Sequence, residues 1–100
     1  MQPLKLLSAL RSIADATEKD CYRQEFKSNF IFKVHNSKLR NLSESITKDT
    51  QLNKAVKAKL LREINKMYLT GRNAGDYTLI RNEVKSKLLS LSSAIDFMKR

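Results

Sequence analysis

The stretch YTLIRNEVKSKLLSLSSAIDFM, residues 77–98, decides how the rest of the chain is read. Its apolar residues Tyr77, Ile80, Val84, Leu88, Leu91, Ile95 and Met98 are spaced by threes and fours. That rhythm gathers them on one side of an α-helix and builds a heptad-like seam. A half-buried strand would instead alternate apolar and polar residues. Two fates are open to such a helix: packing on its neighbours in a bundle, or docking its seam on another protein. Three shorter helices could close a small bundle and leave this one free.

Upstream, Asp76 is placed to cap this helix, and Arg72-Asn73-Ala74-Gly75 reads as the turn before it, so residues 72–76 divide the last helix from the rest. Leu52, Val56, Leu60, Ile64 and Met67 predict a third helix, capped by Asp49 or Thr50 and stopped by Gly71. At the start, Pro3 suits the first position of a helix, and Leu6, Leu7, Leu10, Ile13 and Ala14 form its apolar face, predicting helix 1 from Pro3 to Glu18. Asp20 is then the expected cap of helix 2, with Tyr22, Phe26 and Phe30 stepping by four along one of its sides. Phe30 to Val34 has strand propensity, but no second such run exists to pair with it, so it reads as helix. His35-Asn36-Ser37 is the expected break, after which Leu39, Leu42 and Ile46 carry a weaker rhythm to Thr47. Two glycines and one proline supply too little turn chemistry for a sandwich or barrel. The expected fold is therefore all-α: one domain over residues 1–100, a small three-to-four-helix bundle with an amphipathic C-terminal helix.

With 41% apolar residues in 100, the chain can bury a thin core and is too hydrophobic for a disordered tail. Its net charge is +10, and the excess is uneven: residues 1–50 carry nine Lys/Arg against six Asp/Glu, residues 51–100 eleven against four. Such a balance calls for an acidic partner: nucleic acid, anionic lipid or an acidic protein. No apolar run reaches the length of a membrane span. Met1 to Ala16, with Lys5 and Arg11 on an apolar background, hints at a mitochondrial targeting helix. Asp15, Glu18 and Asp20 follow at once, however, and transit peptides are poor in acids, so the segment reads as part of the mature fold.

Catalysis finds little to work with. The single cysteine, Cys21, and the single histidine, His35, sit in no motif, and His35 is expected to cap a helix end or face solvent. No cluster has metal-ligand spacing. Gly71 to Gly75 lacks the Gly-Lys-Ser/Thr ending of a phosphate loop. The protein is expected not to be an enzyme. Binding features are stronger. On helix 3, Lys59, Arg62 and Lys66 fall three and four apart beside the apolar face, with Lys54 and Lys57 on the other flank and Glu63 as the one acid between Thr50 and Thr70. Arg11, Arg23, Lys27 and Lys33 are spaced for similar stripes. Basic runs are also what an ordinary solvated face presents, but such faces mix both signs.

The order of these features resembles the LYR-motif superfamily of small mitochondrial proteins. Leu6-Leu7-Ser8-Ala9-Leu10-Arg11 stands where the signature of helix 1 would be, and Phe32-Lys33-Val34-His35-Asn36 where the second motif would be, twenty-two positions from Leu10 to Phe32. Within the superfamily the chain looks most like the complex V assembly-factor branch, in which the first motif reads Leu-Leu-x-x-Leu-Arg and a Tyr-Arg, here Tyr22-Arg23, precedes helix 2. Leu10 replaces the signature aromatic and Ala9 its leucine, so only Arg11 is kept of the name-giving tripeptide. The likeness covers residues 4–70 and leaves the final helix without a counterpart. It implies a bundle that binds mitochondrial acyl carrier protein in the matrix. Arg11 and Lys33 would face the partner's acidic helix, as would the other basic residues, and Leu10, Phe26 and Phe32 would line a path for the acyl chain on the phosphopantetheine arm. Ordinary core packing is the alternative for Phe32.

Three functions follow in order. The first is an interaction protein, an assembly factor or accessory subunit of a mitochondrial complex that engages an acidic partner such as acyl carrier protein. The second is a basic nucleic-acid-binding protein, for example one associated with the ribosome. The third is a membrane-surface protein, which the absence of tryptophan disfavours.

Overall fold

The computed structural model describes residues 2–99, and only Met1 and Arg100 of the expected domain lie outside it. Among the described residues the chain forms α1 (Pro3–Arg23), α2 (Ser28–Lys48), α3 (Lys54–Asn65), a 3-10 turn (Gly71–Asn73) and α4 (Tyr77–Lys99). The all-α expectation holds. Helix α1 is the hub: its largest interface is with α4, its next with α2, and α3 leans on both α1 and α2. The core joins Leu7, Leu10 and Ala14 of α1 to Ile31, Leu39 and Ile46 of α2, Leu60 and Ile64 of α3, and Ile80, Val84, Leu91 and Ile95 of α4. The apolar seam of residues 77–98 therefore lies largely inside the bundle, and α4 is not left free.

Three boundaries differ from expectation, each for a local reason. Helix α1 runs through Glu18 and Asp20 to Arg23, because the buried stripe continues past Ala14 as Thr17 and Cys21. Asp20 is thus interior to α1 and caps nothing at the start of α2. Helix α1 ends instead at Gln24, which turns left-handed at φ 56° and donates its N–H to the Asp20 carbonyl at 2.9 Å. Non-glycine residues pay roughly 1–2 kcal/mol for that conformation.

The expected break at His35-Asn36-Ser37 does not occur. Helix α2 passes straight through it, since Ile31, His35, Leu39 and Ile46 form one buried stripe. His35 is 1% exposed, neither a cap nor a solvent-facing residue. Its Nε2 lies 3.0 Å from the Met67 carbonyl and its Nδ1 2.7 Å from Thr17 Oγ1. A carbonyl only accepts, so Nε2 carries a proton. In the neutral ring Nδ1 then accepts from the Thr17 hydroxyl. Beside it, Asn36 grips Leu69 twice, Oδ1 accepting from its N–H at 2.9 Å and Nδ2 donating to its carbonyl at 3.3 Å.

That grip shapes the end of α3. The helix stops at Asn65, short of the expected Gly71, and Met67 and Leu69 turn inward to the core. At the other end Asn53 caps α3 by accepting from Ala55 N–H at 2.7 Å, while Asp49 serves the preceding turn, accepting from Gln51 and Leu52 N–H. The turn at residues 72–75 forms as expected, and Asp76 accepts from Thr78 N–H at 2.8 Å and Leu79 N–H at 3.1 Å at the start of α4. Glu83 fastens that turn to α4 by accepting from Thr70 N–H, the Thr70 hydroxyl and Asn73 Nδ2.

Candidate functional site

The end of α1, the start of α2 and the first turns of α4 meet at one corner of the bundle. The left-handed turn at Gln24 directs the chain away from α1, and Tyr77 pins the connecting segment by donating its hydroxyl to the Phe26 carbonyl at 2.6 Å. Three aromatic side chains remain on the surface there: Tyr22 is 55% exposed, Phe26 49% and Phe30 52%. The rings of Phe26 and Phe30 lie 5.5 Å apart and are tilted by 41°. Arg81 stands over the Tyr22 ring at 4.8 Å and Lys85 at 5.5 Å, within reach of the negative face of the ring. Arg81 Nε is buried without a hydrogen-bond partner, the one such side-chain atom found among the described residues. Exposed Arg23 and Lys27 flank the corner, and neither forms an ion pair among the described residues.

The expectation that Tyr22, Phe26 and Phe30 share one side of helix 2 is thus half met. Phe26 and Phe30 pair, but from a loop and a helix, and Tyr22 belongs to α1. The residues the sequence reading missed are Arg81, Lys85 and Tyr77. Their spacing on α4 carries no signal by itself, because only the α1–α4 packing brings them to Tyr22 and Phe26.

The other expected site residues are scattered. Arg11 is exposed on α1, Lys33 on α2 and Arg62 on α3. Lys59 and Lys66 both reach the buried Glu63 carboxylate, at 3.5 and 3.4 Å, so the α3 stripe is partly neutralised from below. Pairs with such exposed lysines contribute at most about 1 kcal/mol each. Leu10 is buried in the core, Phe32 is half-buried against it, and Phe26 is outside on the corner. A groove of about 270 Å³ lies between α3 and α4, lined by Glu63, Lys66, Met67, Ser86, Lys87, Ser90 and Leu91, and none of Leu10, Phe26 or Phe32 borders it.

The two residues of catalytic type are both buried. Burial, aided by the charge of Asp20, pushes the Cys21 thiol up from 9.0 to about 11, which keeps it protonated at neutral pH and removes the thiolate a nucleophile needs. Burial likewise lowers the pKa of His35. Among the described residues no helix is long and apolar enough to cross a membrane, and no three metal-ligating side chains cluster. No protein-family model matches the sequence, and neither a curated protein nor a solved structure matches it.

Proposed function

We propose that this chain is a non-enzymatic interaction protein whose corner of Tyr22, Phe26, Phe30, Arg81 and Lys85 binds an acidic protein partner. The observation that carries the reading is the gathering of three exposed aromatic rings beside cations on a chain of net charge +10. Aromatic side chains and arginine dominate the energetics of protein interfaces, and the charge selects an acidic partner. A protein fits this corner better than a nucleic-acid strand does. One face of Tyr22 is already taken by cations, and Phe26 and Phe30 are tilted against each other, so there is no row of parallel faces for successive bases.

The finer reading follows the family resemblance: an LYR-type assembly factor or accessory subunit in the mitochondrial matrix, with acyl carrier protein as the acidic partner. Its support is the pair of motifs at Leu6–Arg11 and Phe32–Asn36, together with the exposure of Arg11 and Lys33, which leaves both charges available to an acidic helix. Leu10 lies in the closed core, so an acyl chain on the partner's arm would enter only by parting the helices there, gaining ~0.8 kcal/mol per buried methylene.

Co-purification with mass spectrometry tests both levels. An acidic protein should accompany the chain and be lost from the Phe26→Ala/Arg81→Glu variant. If that protein is a carrier protein and Arg11→Glu also releases it, the finer reading stands. If no acidic protein accompanies the chain, both fail. The charge of +10 also favours a nucleic-acid reading, decided by filter binding of single-stranded RNA at two salt concentrations. Affinity that falls steeply with salt would put nucleic acid in the protein's place.

A further inference from the structure

The outer face of α4 differs from the rest of the surface. Leu89 is 74% exposed and Phe97 71%, the two most exposed large apolar side chains among the described residues. At 100° per residue, Ser86, Ser90, Ser93 and Phe97 fall on one stripe of the helix, and Lys85, Leu89 and Asp96 on its edge. In a chain with 30% charged residues, the exposed positions from Ser86 to Phe97 carry one charge, and it is negative.

We propose that this face binds a second copy of the same chain, with the two α4 helices antiparallel about a twofold axis beside Ser90. A twofold axis in the interface keeps each edge of one helix against the same edge of the other. Residue pairs whose numbers sum to 181 then lie opposite one another. Lys85, whose ammonium otherwise lies 5.5 Å from the Tyr22 ring, swings outward in each copy to meet Asp96 of the other, giving two symmetric ion pairs, and the two Leu89 side chains meet near the axis. Phe97 of each copy stands two residues, about 3 Å along the helix, from the Ser86 of the other and leans over it, large against small. Charge complementarity selects a second copy as the occupant. Elsewhere two copies of a chain at +10 repel, whereas here the single acid of each face finds the lysine of the other. One helix pair buries less than the ~1,200 Å² of a standard interface, so the dimer forms at high protein concentration.

Sedimentation equilibrium of the full chain up to millimolar concentration should give a monomer–dimer equilibrium. Leu89→Glu and Phe97→Glu alter exposed side chains and leave the core intact, and each should raise the dissociation constant about tenfold or more. Asp96→Lys should weaken the dimer, and Lys85→Asp/Asp96→Lys should restore it. Cys21 is buried, so an introduced cysteine is the accessible thiol. Ser90→Cys should cross-link copies on mild oxidation, and Thr78→Cys should not, since antiparallel pairing separates its two copies by about 37 Å along the helix. A monomer throughout overturns the proposal. So does cross-linking of Thr78→Cys as efficient as that of Ser90→Cys, which marks parallel pairing, or failure of the charge swap to restore the dimer.

Discussion

Two places break the apolar rhythm of this chain with polar and aromatic residues, and the fold treats them in opposite ways. At His35-Asn36 the polar groups point inward, and their bonds end on Thr17, Met67 and Leu69, four of them within the protein. At Tyr22, Phe26 and Phe30 the rings point outward, Tyr22 beneath Arg81 and Lys85 and the two phenylalanines against each other. The first place has used up its chemistry in closing the bundle, joining α1, α2 and the segment after α3. The second has chemistry left over. An interaction site is sought where side chains that could be buried or paired are not. The His35-Asn36 pair, part of the motif that carries the family resemblance, therefore serves the fold, while the groups proposed to face a partner lie elsewhere.

His35→Ala should destabilise the protein by about 3 kcal/mol, because it opens a hole in the core and leaves the Met67 carbonyl without its donor. Urea titration measures this. Binding to the partner, measured per folded molecule, should not change. A loss below about 1 kcal/mol would mean that the clamp is not what closes the bundle.

The apolar periodicity of the sequence made α4 and the core legible, since Ile80, Val84, Leu91 and Ile95 are buried as their spacing requires. It failed where polar residues take core positions. Thr17 and Cys21 carry the buried stripe of α1 past the expected end at Glu18, and His35 carries that of α2 through the expected break at residues 35–37. Helix α3 failed in the other direction. Its rhythm runs on to Met67, yet Asn36 draws Leu69 inward and the helix ends at Asn65. Of the corner, the aromatics and Arg23 and Lys27 could be found in the sequence. Arg81 and Lys85 could not, because their role depends on which helix α4 packs against.

At the corner the expected effect is on affinity. Arg81→Glu/Lys85→Glu should weaken binding of the acidic partner about 30-fold, or ~2 kcal/mol, as measured by calorimetric titration. Stability should fall by less than in His35→Ala, by about 1–2 kcal/mol in all, since the two cations contribute about 0.5–1 kcal/mol each over the half-exposed Tyr22 ring. If stability falls by as much as it does in His35→Ala, the corner is a structural feature like the clamp.

The pH dependence of stability isolates the clamp by another route. Burial lowers the pKa of His35 below its ordinary 6.5; the hydrogen bond to the Met67 carbonyl and, less, Glu83 oppose the shift, while Lys38 and Lys87 reinforce it. The unfolded chain binds a proton below pH 6.5 that the folded chain refuses. Stability should therefore be level above that pH and fall as the pH drops, by at most about 1.4 kcal/mol per unit, until the folded ring itself protonates. Protonation need not break the network. Nδ1–H can donate to Thr17 Oγ1, which then donates to the Ile13 carbonyl at 3.0 Å. Urea titrations from pH 8 to 5 should show this slope in the native chain and lose it in His35→Gln.

Tyr77→Phe gives the smallest effect and joins the two halves of the comparison. It removes one exposed hydrogen bond, from the Tyr77 hydroxyl to the Phe26 carbonyl, and should lower stability by no more than about 1 kcal/mol. Its consequence for binding depends on why Phe26 and Phe30 are held outward. If the corner is preorganised, freeing the loop adds an ordering cost at the moment of binding, and affinity should fall about threefold with every partner-facing side chain still present. Calorimetric titration of Tyr77→Phe beside Arg81→Glu/Lys85→Glu separates the two contributions. Unchanged affinity in Tyr77→Phe would place the binding energy in the charges alone.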